Sequence, residues 1–288
     1  MEPHRQKLIE LIHYPGATWN SIASAMKEEL LPEMHPDNPL TCNLNTLKTP
    51  SKKVSTTLQK EKLSTLLHHY AASKISIITI FDPDYPFWLR NIYQPPWALF
   101  AQGDLSLLQK EPKLAVVGSR QASPYGKNAI RLMFPALIEK GIVIVSGLAK
   151  GIDAVAHECA MKNGGRTIAV IAGGLYHVYP EENHHLYREM AKSQLVLSEF
   201  PPDTKPARWH FPMRNRIISG LCVGTFVVEA KQKSGSLITA NYAMNEGREV
   251  FALPGSVFNP FSTGTNEFIQ HGAKMVTKAE DILEEIPF

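Results

Sequence analysis

The chain has 288 residues, 44% hydrophobic and 20% charged, which is enough apolar material for a sizeable core in one or two domains. This composition excludes a wholly disordered, collagen-like or disulfide-scaffold protein. No apolar run approaches the ~20 residues a membrane helix needs, and the opening Met1-Glu2-Pro3-His4-Arg5 lacks a signal-peptide apolar stretch. Cys42, Cys159 and Cys222 stand far apart with no Cys-x-x-Cys, which fits a reducing cytoplasm and argues against a cysteine metal site. The net charge of +3 is small, but residues 113–220 hold 14 basic against 8 acidic groups, whereas residues 278–288 hold one against four. A positive middle suits an anionic partner such as phosphate or nucleic acid; a mixed solvated surface is the plain alternative.

In chain order, residues 1–73 read as a small helical N-terminal domain. Lys7–His13 is apolar-periodic and stops at Pro15-Gly16, and the pattern resumes at Ile22–Leu31. His35–Lys62 is polar and proline-bearing, and Leu58–Tyr70 is a further helix candidate. A strand is predicted at Ile75–Phe81, then a stretch from Asp82 to Trp97 whose prolines favour turns and extended chain over helix. From residue 113 the pattern is regular. Strands are predicted at Leu114–Val117, Ile142–Val145, Thr167–Ala172, Leu195–Leu197, Thr225–Glu229 and Glu249–Leu253, with helices at Gly126–Glu139, Ile152–Lys162, His184–Lys192 and Leu237–Asn245. Apolar strands alternating with amphipathic helices mean βαβ units around a buried parallel sheet. Residues 113–288 are therefore expected to form one doubly wound, mostly parallel α/β domain.

In such a sheet, ligands bind beyond the carboxyl ends of the strands. After the first parallel strand stand Gly118, Ser119 and Arg120, then Ser123-Pro124, a good N-cap and N1 pair; Arg120 is expected near a helix N-terminus, where anions are favoured. After the second comes Ser146-Gly147-Leu148-Ala149-Lys150-Gly151-Ile152-Asp153, a glycine-spaced turn that suits phosphate but lacks the G-x-G-x-x-G and Walker spacings. The third ends in Gly173-Gly174 and the fourth in Ser198-Glu199. Glu199 and Glu229, both at strand ends, raise acid–base catalysis, against the commoner role of holding a neighbouring Arg214 or Arg216.

The stretch Lys205–Arg216 places Lys205, Arg208, Arg214 and Arg216 among Trp209, His210 and Phe211. Cations for phosphates and rings for bases are what a single-stranded nucleic-acid surface needs. The rival is that the rings anchor a loop while the arginines form ion pairs. Further on, Ser234-Gly235-Ser236 at a helix start offers backbone N–H groups and hydroxyls to an anion, or simply caps the helix. There is no G-x-S-x-G, H-E-x-x-H or kinase set, and His68-His69 and His184-His185 cannot chelate from adjacent helical positions.

Taken in order, these motifs resemble the DprA/Smf family, the DNA processing protein A of bacterial transformation. They are Gly118-Ser-Arg, Ser146-Gly-Leu-Ala-Lys-Gly-Ile-Asp153, Gly173-Gly174, Tyr179-Pro-x-x-Asn183, Ser198-Glu-Phe200, Phe211-Pro-Met-Arg-Asn-Arg-Ile-Ile-Ser-Gly-Leu221, Val228-Glu-Ala-x-x-x-Ser-Gly-Ser-Leu-Ile-Thr-Ala240, Gly247-Arg-Glu-Val-Phe-Ala-Leu-Pro-Gly255 and Gly264-Thr-Asn266. The resemblance covers roughly residues 82–277. It implies an extended Rossmann-like domain over residues 74–288, in a cytoplasmic and homodimeric protein, that binds single-stranded DNA without cutting it and helps load the recombinase RecA. It needs no cofactor, metal or catalytic residue. Ser119, Arg120, Lys205, Arg208, Phe211, Arg214 and Asn215 would then form the DNA site, lined by Gly147, Lys150, Gly151, Gly173, Gly174, Ser234, Gly235 and Ser236. Family members carry an N-terminal sterile-alpha-motif-like domain, which residues 1–73 match only loosely, around Leu11–Trp19, and many end in a winged helix that has no counterpart up to Phe288. Two other readings stay open. One is a Rossmann-like nucleotide phosphoribohydrolase, though its Pro-Gly-Gly-x-Gly-Thr loop is not matched at Lys233-Ser-Gly-Ser. The other is a protein-interaction scaffold.

Overall fold

The computed structural model describes residues 3–30, Leu44 and residues 60–287. Most of the polar segment from His35 to Lys62, and Cys42, lie outside them. Helices α1 (Pro3–Ile12), α2 (Trp19–Leu30) and α3 (Lys60–Ala72) come first. Strand β1 (Ile75–Thr79), a one-turn helix α4 (Phe87–Arg90) and β2 (Ala98–Gly103) follow. The regular part then runs β3 (Lys113–Val117), α5 (Pro124–Glu139), β4 (Val143–Ser146), α6 (Ile152–Lys162), β5 (Thr167–Val170), α7 (His184–Ser193) and β6 (Leu195–Ser198). It returns through α8 (His210–Gly220), β7 (Gly224–Val227), α9 (Gly235–Asn245), β8 (Glu249–Ala252), α10 (Thr263–Gln270), β9 (Lys274–Met275) and α11 (Glu280–Leu283).

The nine strands form one sheet in the order β1-β2-β6-β5-β4-β3-β7-β8-β9, with β2 antiparallel to both β1 and β6 and every other pairing parallel. Alternate residues of one strand feed opposite faces: Leu114 and Val116 pack with Ile130 and Phe134 of α5, while Ala115 and Val117 pack with Ile217 and Leu237 of α8 and α9. Burial on both faces is why these strands read as unbroken apolar runs rather than as polar–apolar alternation. The N-terminal helices share the second of these cores. Leu8, Leu11 and Ile22 lie in one cluster with Ile78 and Leu99, and Trp19 stacks on Trp97 at 5.3 Å. Each indole N–H donates across that joint, Trp19 to the Pro95 carbonyl (2.7 Å) and Trp97 to the Trp19 carbonyl (3.2 Å).

Six of the strands and α-helices depart from the sequence reading: β2, α4, α8 and, beyond residue 253, α10, β9 and α11. Strand β2 begins two residues after Pro96, just past the stretch read as turns and extended chain. Within that stretch α4 begins right after Pro86, where a helix start needs no N–H from the proline. Helix α8 was hidden because Pro212 sits in its first turn, where a missing N–H costs no bond. Its buried face also includes Arg214 and Asn215, so no apolar period marks it.

Candidate nucleic-acid interface

Strand β3 lies between β4 and β7: the chain winds from β3 through β4, β5 and β6, then crosses back to β7 on the other side of β3. This reversal opens a crevice at the carboxyl ends of the strands, where open α/β sheets bind their ligands. A cleft of about 890 Å³ occupies it. Its walls come from the β3 loop (Ser119, Arg120), the approach to α8 (Arg208, Phe211) and the start of α9 (Ser234, Ser236).

Helix α8 sorts the basic–aromatic cluster by its period. Phe211, Arg214, Asn215 and Ile218 fall at i, i+3, i+4 and i+7 and all line the cleft. Arg216 points away and pairs with Glu199, whose side chain is largely but not wholly buried. Phe211 is half-buried at the mouth, with the Arg120 guanidinium 5.5 Å from its ring centroid and the Tyr179 ring edge-on at 6.0 Å. Arg120, Lys205 and Arg208 are exposed and have no ion-pair partner among the described residues.

Arg214 is different. Only 5% exposed, it forms the cleft floor, donating from Nη1 to the carbonyls of Gly147 (2.5 Å) and Val170 (2.6 Å) and from Nε to Asn215 Oδ1 (3.0 Å). Burial lowers its pKa to about 10, against the pull of Asp153, so it stays charged at neutral pH. The Asn215 amide in turn donates to the Gly235 carbonyl (3.2 Å), tying α8 to the start of α9.

The glycine turn after β4 does not hold its N–H groups open. Asp153 Oδ2, buried, accepts from Gly147 N (3.1 Å) and Ala149 N (3.4 Å). Burial raises the pKa of this carboxyl, opposed mainly by the Arg214 charge and those two N–H groups. Gly147 and Gly151 shape the cleft from behind instead. A Cβ on Gly147 would stand 2.4 Å from the Arg214 guanidinium. One on Gly151, at φ +76°, would run into the Ser119 carbonyl. Ile152 N donates to that same carbonyl (3.1 Å), so the α6 start presses on the loop that carries Arg120. The far side of the loop is held by buried Glu229, which accepts from the Ser123 N–H (2.9 Å) and hydroxyl.

Among the other expected site residues, Lys150 pairs with Glu182 on the surface, and Lys205 adjoins the lining residue Pro206 without lining the cleft itself. Gly173 and Gly174 lie behind the 201–206 loop, where Gly174 N donates to the Thr204 carbonyl (2.7 Å). Glu199 and Glu229 do not meet: β6 and β7 are four strand spacings apart, roughly 19 Å. Several lining residues escaped the sequence reading, among them an exposed ring, Tyr179, and an exposed cation, Lys231. Each lies in a loop that leaves the carboxyl end of a strand, nine residues past β5 and four past β7, and that placement was the signal available.

The fold is thus a doubly wound α/β sheet whose switch-point crevice is lined by the rings of Phe211 and Tyr179 and by the cations Arg120, Arg208 and Lys231, an arrangement open to an anionic ligand. The chain belongs to the family described as DNA recombination-mediator protein A, whose family model matches residues 76–287. It is 54% identical over 226 residues to DNA processing protein DprA of Bacillus subtilis, covering 78% of this chain and 76% of that protein. It is 46% identical to protein Smf of Escherichia coli over 71% of this chain but 54% of that protein. The solved structure of DNA processing protein A from Streptococcus pneumoniae superposes over all of this chain and 99% of the other, with TM-score 0.80 and 38% identity. A structure of DNA processing protein A from Helicobacter pylori, solved for that protein's single-stranded DNA binding mode, covers 74% of this chain and 98% of its own, with TM-score 0.66 and 30% identity. Among the described residues no helix is long and apolar enough to cross a membrane.

Proposed function

We propose that this protein binds single-stranded DNA in the switch-point cleft, without cutting it, and hands the strand to the recombinase RecA as a cytoplasmic homodimer. The observation that carries the reading is Phe211, half-buried at the cleft mouth beneath the Arg120 guanidinium, with the exposed Arg208 lining the same cleft. A ring for a base between cations for the flanking phosphates is the arrangement single strands require. The start of α9 at Ser234–Ser236 adds the partial positive charge of a helix N-terminus on the opposite wall. Arg214, Gly147 and Gly151 support the cleft from beneath, and Lys150, Lys205, Gly173 and Gly174 belong to its rim and backing. The absence of catalysis is part of the proposal, supported by the separate engagements of Glu199 with Arg216 and Glu229 with Ser123. So is a division near residue 73, supported by the start of the family match at residue 76.

The test is a titration of oligo-dT beside duplex of equal length. With three to five cations engaged, log K should fall against log salt with a slope of roughly −2 to −3.5, single strands being preferred. Equal affinity for duplex, or a flat salt response, overturns the proposal.

Arg120→Ala separates ligand binding from folding. A charge-assisted bond to phosphate is worth roughly 1.5–3 kcal/mol, so affinity should drop about ten- to hundredfold. The melting temperature should hold, because the guanidinium is exposed and forms no ion pair among the described residues, its ring contact with Phe211 being worth little at an exposed site. A variant that melts lower and binds normally would make Arg120 a packing residue.

A further inference from the structure

The loop between β8 and α10 ends in the most exposed ring of the described residues: Phe258 is 93% exposed and its neighbour Val257 77%. Such exposure in a flexible segment would be unremarkable, but this loop is fastened at its base. The Asn266 side chain both accepts from Gly255 N (3.1 Å) and donates to the Gly255 carbonyl (2.9 Å), and the Tyr125 hydroxyl donates to the Pro254 carbonyl (2.6 Å). On the returning limb, Asn259 Oδ1 accepts from Phe261 N (3.0 Å), Ser262 N donates to the Asn259 carbonyl (3.0 Å), and Ala230 N donates to the Phe261 carbonyl (2.8 Å). At the tip, Phe258 N donates to Ser256 Oγ (3.2 Å) and Asn259 N to the Ser256 carbonyl (3.0 Å). The turn that bears the ring is thus locally closed. The two adjacent apolar side chains at its tip, Val257 and Phe258, are thus held out into water where they add nothing to the core.

The loop leaves the carboxyl end of β8, two strand spacings or about 10 Å from β3, on the same edge of the sheet as the cleft. Lys231 bridges the two: it lines the cleft, and its Nζ lies 4.6 Å from the centroid of Phe261 in the loop. Tyr125, nearly half exposed, flanks the same stretch, directly beyond the Arg120 loop. A chain leaving the cleft on the Lys231 side would therefore reach the loop that carries Phe258.

We propose that Phe258 is a second nucleobase subsite, which stacks a base of a single strand that has already crossed the cleft and so sets how many nucleotides the protein covers. This inference rests on the reading of the cleft given above. Stacking needs only a ring face, so the subsite takes any base.

The experiment measures the affinity of a graded series of oligo-dT lengths for wild type, Phe258→Ala and Phe258→Trp, with melting and sedimentation of each. Phe258→Ala should bind the shortest strands like wild type and lose about tenfold with longer ones, whereas Phe258→Trp should keep wild-type affinity. The added indole should be quenched by long strands beyond the quenching of the wild-type tryptophans, and by short ones no more than wild type. Equal affinity of Phe258→Ala and wild type at every length overturns the subsite while leaving the cleft reading intact. So does a changed sedimentation with unchanged affinity, which assigns the ring to a contact between subunits. Failure of wild type to bind any oligo-dT overturns the cleft reading and the subsite with it.

Discussion

Arg214→Ala is expected to destabilise the protein by about 3–5 kcal/mol, the cost of removing one partner from a buried charged network. The side chain holds the carbonyls at the ends of β4 and β5 together, and its charge stands opposite buried Asp153. Its removal strands both carbonyls and leaves that carboxyl without its main compensating cation. For a protein of this size the melting temperature should fall by roughly 10 °C. Arg214→Lys should recover little, because a single ammonium cannot reproduce the planar fork that serves Gly147, Val170 and Asn215 at once. The part of the Arg214→Ala population still folded should bind single strands with nearly the wild-type salt slope, since the floor guanidinium is spent on protein carbonyls. A variant that melts like wild type yet loses one phosphate's share of the slope, about 0.7, would instead make Arg214 a direct DNA contact.

Phe211→Ala should weaken single-strand binding by ~1–3 kcal/mol without altering the salt slope, and Phe211→Tyr or Phe211→Trp should keep most of the affinity. Part of that loss is indirect. The ring also steers the Arg120 guanidinium, a contact worth roughly 0.5–1 kcal/mol at an exposed site. Arg208→Ala, which removes a charge and leaves the ring, should instead reduce the slope by roughly 0.7. Were Phe211 chiefly a core anchor, alanine would cost ~3–5 kcal/mol of stability. Its half-exposed position, with Tyr179 only edge-on, makes a small melting shift the expected result. Melting curves beside binding titrations decide the matter: a strongly destabilised Phe211→Ala whose folded fraction binds normally would remove the ring from the site.

What was legible in the sequence follows from which forces leave a local trace. The buried parallel strands write themselves as apolar runs, and α6 was predicted at Ile152–Lys162, the bounds it has in the fold. Ser123-Pro124 announced the start of α5, where the Ser123 hydroxyl accepts from Gly126 N. Helix α8 left no such trace because its inner face spends two positions on Arg214 and Asn215, whose burial makes sense only once the facing carbonyls are in place. In the cleft, the exposed members Arg120, Arg208 and Phe211 could be picked out as residue types with no business in a core. The roles of the glycines could not. Gly147 and Gly151 looked like a seat for phosphate, whereas contacts with Arg214 and with the Ser119 carbonyl, distant in the chain, are what demand them. Lys231 and Phe261 are thirty residues apart, and their approach depends on β7 and β8 being neighbours.

Asp153 turns the glycine loop into a seat filled by the chain itself. A carboxylate four to six residues from the N–H groups it accepts from is present at an effective concentration that few free solutes match. Mononucleotides and small phosphates, abundant wherever DNA is handled, therefore face an intramolecular competitor at the point where related sheets would take them. A polymer engaging the opposite walls through several weak, separate contacts does not have to displace it. With the two N–H groups of this turn already engaged, the turn favours no small phosphate. What the proposed site offers a strand is several separate contacts spread over the cleft walls, a discrimination that requires no recognition of sequence.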